Sequence, residues 1–176
     1  MSLNPLPDPL PEDRALVSQV IAGDRDAFGV LVRRYERAVR TVCWSVLRDH
    51  HLASDAAQDA FVEAFRGLSR IKDPAAFAPW VITIARNRAL SLSRGRKAQS
   101  PLPPDLPDRQ PLPNDEELLL MVANLPEQER LVVMLRFLEG YAVNDVARIL
   151  GRPPGTVTKQ LSRAYERLRT ALEDQL

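Results

Sequence analysis

The side chains best suited to chemistry with another macromolecule lie between Val143 and Leu172. Ala147 stands where two helices must cross closely, and Gly151 follows four residues later, where a tight turn needs it. Val157 recurs where a second helix packs back on the first, and Leu161, Ala164, Leu168 and Leu172 extend that buried face. This is the spacing of a helix-turn-helix, whose second helix enters a DNA major groove. The outward residues are then Arg152, Thr156, Thr158, Lys159, Gln160, Ser162 and Arg163. Gln and Lys address adenine and guanine edges, while Thr and Arg also hold phosphates. The bland alternative is an αα-hairpin with solvated charges.

Catalysis finds little support. Cys43 falls on an apolar helical stripe without a base partner and reads as a core residue. His50 and His51 are adjacent in an expected loop, with no second cluster at metal-ligand spacing, so no metal and no cofactor are expected. A phosphate-cradling glycine loop and a nucleophile motif are both missing from the sequence. A single cysteine excludes an internal disulfide, and no apolar run approaches the ~18 residues of a membrane span. No secretory leader is recognisable at the N-terminus.

Prolines mark the elements that must position these groups. Pro5, Pro7, Pro9 and Pro11 alternate near the start, and Pro101, Pro103, Pro104, Pro107, Pro111 and Pro113 crowd a second stretch. Residues 1–11 read as a tail and 98–113 as an extended linker, since such stretches do not sustain helices. The linker reaches about 50 Å at polyproline rise. Two compact pieces remain, 12–97 and 114–176. Period-3.6 apolar patterns occur throughout and sustained alternation does not, so the expected fold is all-α, two small helical domains.

Phe28, Leu31, Val32, Tyr35, Val39, Val42, Cys43 and Val46 form one helical stripe behind a cap at Asp24. A second helix is expected from near Ser54, burying Ala57, Ala60, Phe61, Ala64, Phe65 and Leu68. A third starts after Asp73-Pro74 or after Pro79 and carries Arg86, Arg88, Arg94, Arg96 and Lys97 away from its apolar side. Asn114 with Glu117 suggests a capping-box variant, and a helix opened by Pro126 closes at Gly140.

Charge separates along the same division. The whole chain has a net charge of only +1. Residues 12–97 hold 15 basic and 10 acidic side chains, and residues 114–176 hold 8 and 10. From Arg148 onward the balance turns basic, six against three. Arginine supplies 21 of the 24 positive residues, which suits planar bidentate recognition of phosphates and bases, although genome composition produces the same bias.

Two ordered sets of motifs resemble one family. Leu125-Pro126, Glu139-Gly140, Val146-Ala147, Leu150-Gly151, Gly155-Thr156-Val157 and Arg163-Ala164 resemble region 4 of bacterial sigma-70-family factors, extracytoplasmic-function (ECF) group. Gly23-Asp24 with Ala27-Phe28, then Asp55 through Phe61, then Trp80 with Ile84-Ala85-Arg86-Asn87, resemble region 2 of the same group. The resemblance implies a non-enzymatic, cytoplasmic initiation subunit that binds core RNA polymerase and reads −10 and −35 promoter elements. Its implied partners are the β′ clamp helices, the β flap, promoter DNA and a separate anti-sigma factor.

By that resemblance Asp55, Gln58, Asp59, Val62 and Glu63 dock on the clamp helices; by composition alone they form a solvated face. Arg70, Lys72, Arg86, Asn87, Arg88 and Arg94 contact the melted −10 strand, with Phe77 and Trp80 read as core. Departures from the family pattern are Ser91 in place of an Asp, Lys159-Gln160 in place of Ser-Arg, and Pro153-Pro154 stiffening the turn. The rival readings are a dimeric helix-turn-helix regulator that binds duplex DNA alone, and a module that titrates an anti-sigma factor.

Overall fold

A computed structural model describes the backbone of residues 9–96 and 115–173, and the side chains of 12–95 and 120–173. All regular structure among them is helical: α1 (Pro9–Ile21), α2 (Arg25–Leu47), α3 (His50–Gly67), α4 (Phe77–Arg96), α5 (Asp115–Asn124), α6 (Glu127–Val133), α7 (Val143–Leu150) and α8 (Pro154–Glu173). The expected linker 98–113 and the Asn114 cap lie outside the described residues.

Local chemistry explains the boundaries. Asp24 caps α2, its carboxylate accepting from the N–H of Asp26 at 2.9 Å and of Ala27 at 3.3 Å. The helix ends at Arg48, which adopts φ 54° and donates its N–H to Trp44 O at 2.8 Å. Asp49 then accepts from Leu52 N–H at 2.9 Å and caps α3, so that helix begins at His50 rather than near Ser54. The His50-His51 pair is therefore the first turn of a helix and not a loop, with the His50 ring 5.9 Å from Trp44. Similarly, α1 opens at Pro9, inside the stretch read as a tail. Pro9 and Pro11 fall in its first turn, where a missing N–H costs no intrahelical bond. Of the two starts considered for α4, the earlier one is nearer. Asp73 caps a 3-10 turn at Pro74–Ala76, and α4 follows at Phe77.

The first half packs α2, α3 and α4 around Leu31, Tyr35, Val39, Val42, Leu68, Phe77 and Val81, all buried. Ala53, Ala56, Ala60 and Ala64 give α3 a small-residue face, which permits close approach to its neighbours. Phe77 meets Phe28 edge-on and Tyr35 at 5.7 Å, confirming it as core; Trp80 is half-buried against the same cluster. Cys43 is buried too, and burial pushes its thiol up to about 12. The α1 helix is pinned by Asp13, a buried carboxylate that accepts from the Tyr35 hydroxyl and the Arg34 guanidinium. Burial raises its pKa more than those two bonds lower it.

In the second half, α6 passes into a π-helical turn at Met134–Leu138 and stops before Gly140, at φ 77°. The helix-turn-helix is present as α7 and α8. Gly151 takes φ 62°, and the N–H groups of Gly151 and Arg152 donate to Arg148 O (3.2 Å) and Ala147 O (2.8 Å). This pair of hydrogen bonds closes α7 and turns the chain into α8. Ala147, Val157, Leu161 and Ala164 are buried between the two helices, and Leu168 is partly so. Leu172 departs from expectation: it is 47% exposed.

The two halves are not held apart. Their buried residues form one continuous cluster, with α6 and the π turn against α2, and α7 against α4.

Candidate polymerase and nucleic-acid interfaces

Three surfaces carry the residues singled out by sequence. On α3, Asp55, Gln58, Asp59, Val62 and Glu63 are all exposed on the side opposite the alanine face, with Val62 at 48%. Spacings of three and four residues place them in one stripe. The stripe is not wholly unpartnered. Arg88 of α4 donates to Asp59 Oδ2 from Nη2 at 2.6 Å and from Nε at 3.1 Å, tying the acidic stripe to the basic helix beside it.

On α4 and the turns before it, Arg70, Lys72, Asn87, Arg88 and Arg94 are exposed. Arg86 is different: half-buried, it donates from Nε to Glu127 Oε1 of α6 at 2.9 Å. A single helix thus carries one arginine turned to an acid of its own half, one turned to an acid of the other half, and one, Arg94, exposed near its end.

On α8, Thr156, Thr158, Lys159, Ser162 and Arg163 are exposed, while Val157 and Leu161 anchor the opposite side. The hydroxyls of Thr158 and Ser162 donate backward to Pro154 O and Thr158 O, both at 3.1 Å, leaving their oxygens as acceptors. Lys159 and Arg163 have no ion-pair partner among the described residues. Arg152 and Gln160 do not join this open row. Arg152 is half-buried, donates to Gln160 Oε1 at 3.2 Å and to Gln128, and burial lowers its pKa. Among the described residues no group of acids, histidines or cysteines is placed to hold a metal, and no helix is long and apolar enough to cross a membrane.

Residues 31–99 match Sigma-70 region 2, and residues 115–168 match Sigma-70, region 4. The ECF RNA polymerase sigma factor SigM of Mycobacterium tuberculosis (strain ATCC 25618 / H37Rv) is 34% identical over 163 residues, 89% of this chain and 82% of SigM. The RNA polymerase sigma-H factor of Pseudomonas aeruginosa is 30% identical over 187 residues, 92% of this chain and 94% of that factor. The chain belongs to the ECF group of the sigma-70 family.

Solved structures agree with this placement of the sigma factor. The structure of CnrH in complex with the cytosolic domain of CnrY matches with a TM-score of 0.66 at 26% identity, over 94% of this chain and 99% of that chain. RpoE from Bartonella quintana, solved in complex with the anti-sigma factor NepR, shares the fold with a TM-score of 0.59 at 23% identity, over 83% and 96%. The helix-turn-helix residues singled out by sequence, Arg152 through Arg163, all fall inside the region 4 match, and the α3 and α4 residues inside the region 2 match.

Sequence reasoning missed the residues joining the two regions. Glu139 accepts from Arg37 Nε at 2.8 Å and from the Thr41 hydroxyl at 2.9 Å. Arg130 is buried and donates to Ser45 O of α2 at 3.0 Å, to Ala123 O at 2.8 Å and to Leu125 O at 2.7 Å. Burial lowers its pKa to about 10, with Arg48 adding to the effect and Glu127 opposing it. These partners stand up to 102 residues apart, so no local pattern signals them. An exposed aromatic pair was missed as well. Phe137 (38% exposed) and Tyr165 (50%) meet edge-on at 5.7 Å, with Arg136 over the Phe137 ring.

Proposed function

We propose that this sigma factor divides promoter-directed initiation among the three surfaces. The α3 stripe of Asp55, Gln58, Asp59, Val62 and Glu63 docks on the β′ clamp helices of core RNA polymerase, with charge giving steering and register around one apolar contact. Arg70, Lys72, Arg86, Asn87, Arg88 and Arg94 hold the opened −10 strand, chiefly through phosphates. Thr156, Thr158, Lys159, Ser162 and Arg163 read the −35 duplex, with the Arg152–Gln160 pair flanking them. Region 4 additionally meets the β flap, and a separate anti-sigma factor controls access. Such a subunit works beside polymerase in the cytoplasm.

The observation that carries this reading is the α8 surface. Val157, Leu161 and Ala164 are buried on its inner side, and its unpaired cations Lys159 and Arg163 and free hydroxyl oxygens form one exposed row on a helix that follows a tight turn. An αα-hairpin needs no such row. A dimeric operator-binding regulator leaves the exposed α3 stripe without a use. Affinity capture with purified core polymerase, paired with duplex binding by the chain alone, tests the proposal. The expected result is a stable complex with core and weak binding to DNA alone. Failure to co-purify with core, combined with tight autonomous operator binding, overturns it.

A further inference from the structure

Arg70 and Lys72 of the −10 set sit on irregular backbone between α3 and α4. Two 3-10 turns, Leu68–Arg70 and Pro74–Ala76, bracket Lys72. The bonds within this stretch are all short-range. Ile71 N–H donates to Leu68 O at 3.1 Å, Ala76 N–H to Asp73 O at 2.9 Å, and Ala75 N–H to Asp73 Oδ1 at 3.0 Å. Hydrogen bonds in 3-10 turns are poorer than those of an α-helix, so the aim of Arg70 and Lys72 depends on what the turns lean against. That support is α1, which packs along α2 and lies against both turns. Arg14 Nη2 stands 3.5 Å from Asp73 Oδ1, the oxygen that caps the second turn.

The attachment of α1 is mostly polar. Among its described residues Val17 is the one apolar side chain wholly buried, with Leu16 and Val20 partly so. A helix that only filled the core would be held by apolar contact along its length. Here a fully buried carboxylate, Asp13, accepts from the Tyr35 hydroxyl and from Arg34, whose Nη2 also donates to Glu12 Oε2 at 2.8 Å. Removing that acceptor leaves buried donors unpaired, the costly way to break such a contact. The lock also stands close to the recognition stretch. The Tyr35 ring lies 5.7 Å from Phe77, the first residue after the second turn. The Arg14–Asp73 pair is exposed and weak by comparison.

We propose that α1 is a positioning element for capture of the −10 strand. Asp13 fixes the helix through Tyr35 and Arg34, and the helix braces the turns that aim Arg70 and Lys72. Asp13 and Arg14 are thus positioning residues that touch no DNA. This rests on the promoter reading above and adds a determinant of −10 selectivity outside the strand-contacting set.

The test is transcription by full-length chains with purified core polymerase on a randomised promoter library. Base enrichment is read separately in the element nearer the transcript start and in the upstream one. Asp13→Ala should lower enrichment in the nearer element about tenfold and leave the upstream element unchanged. Asp13→Asn, which keeps an acceptor for Tyr35, should restore most of it. Val42→Ala, a buried α2 position about two turns beyond Tyr35, is the control for lost stability and should change neither element selectively. Where Asp13→Ala does not fold, the exposed pair decides. Arg14→Glu should lower the nearer element's enrichment about threefold. Asp73→Asn, which keeps the cap, should rescue Arg14→Glu more than it changes the wild type. Equal loss in both elements, an Asp13→Ala profile matching that of Val42→Ala, or an Arg14→Glu profile matching the wild type overturns the proposal. A wild-type chain that selects no element near the transcript start overturns the promoter reading itself.

Discussion

Two basic surfaces, the α2 and α4 face of region 2 and the outer face of α8 in region 4, hold their cations differently. On the region 2 surface several arginines are engaged: Arg34 with Glu12 and Asp13, Arg37 with Glu139, Arg86 with Glu127, Arg88 with Asp59, while Arg70, Lys72 and Arg94 are exposed. On the outer face of α8, Lys159 and Arg163 are open to water and unpaired among the described residues. The targets proposed for the two surfaces account for the difference. A major-groove reader works on an intact duplex and is presented ready-made on a rigid helix. A surface that captures an opened strand meets its target only after melting, and paired arginines limit idle binding to any phosphate backbone before that point. Net charge over the whole chain hides this, since +1 averages a basic half with an acidic one.

The largest effects should come from breaking each region's core separately. Leu31→Ala and Leu135→Ala each remove a fully buried side chain, at a cost of about 2–5 kcal/mol. Trp44 and Trp80 both lie in region 2, so tryptophan fluorescence reports that half while far-UV circular dichroism reports both. Urea unfolding should show Leu31→Ala moving the fluorescence transition and Leu135→Ala chiefly the remaining dichroism. Equal movement of one shared transition by both would erase the distinction between the halves.

Next is Arg130→Met, which leaves the carbonyls of Ser45, Ala123 and Leu125 without their donor. A loss of about 1–3 kcal/mol, read from urea midpoints, is expected for such unpaired buried acceptors.

Comparable in size but confined to recognition, Lys159→Ala should relax −35 preference by about 1–3 kcal/mol at the contacted position. Selection from a promoter library with core polymerase measures it. Gln160→Ala should do less, because Gln160 is half-buried and already accepts from Arg152.

Smaller still is the pH dependence of Asp13. Its folded pKa is raised above 3.8, chiefly by burial, so its protonated form is favoured in the fold. The contribution is fully present below pH 3.8 and is lost as pH rises through the folded value, with a slope of at most about 1.4 kcal/mol per pH unit. Across that window the wild type should lose stability relative to Asp13→Asn, by denaturant midpoints at a series of pH values. The least effect is expected from Asp55→Ala, an exposed rim charge. It should slow association with core polymerase and leave dissociation nearly unchanged, by surface-binding kinetics.

Local signals were legible from sequence. The Asp24 cap, the apolar stripe of α2 and the Ala147, Gly151 and Val157 spacing all depend on residues within a turn or two of each other, and each stands as expected. Boundaries set by competing caps were not. Asp49 outranked Ser54 because it follows the αL residue Arg48 directly, and prolines at 9 and 11 were read as breakers although a first turn accepts them. Most residues of the three proposed surfaces stand exposed as expected, but their pairing was not legible. Pairings such as Arg37 with Glu139 and Arg86 with Glu127 join separate helices of the two halves, and no periodicity encodes them.

Transcription in vitro, with purified core polymerase and a randomised promoter library read by sequencing of the transcripts, tests the central claim most directly. Selected templates should share two conserved elements at a fixed spacing of more than one duplex turn, and no transcripts should arise from core alone. Transcripts no more abundant than with core alone, while the chain binds a single duplex element unaided, would contradict it.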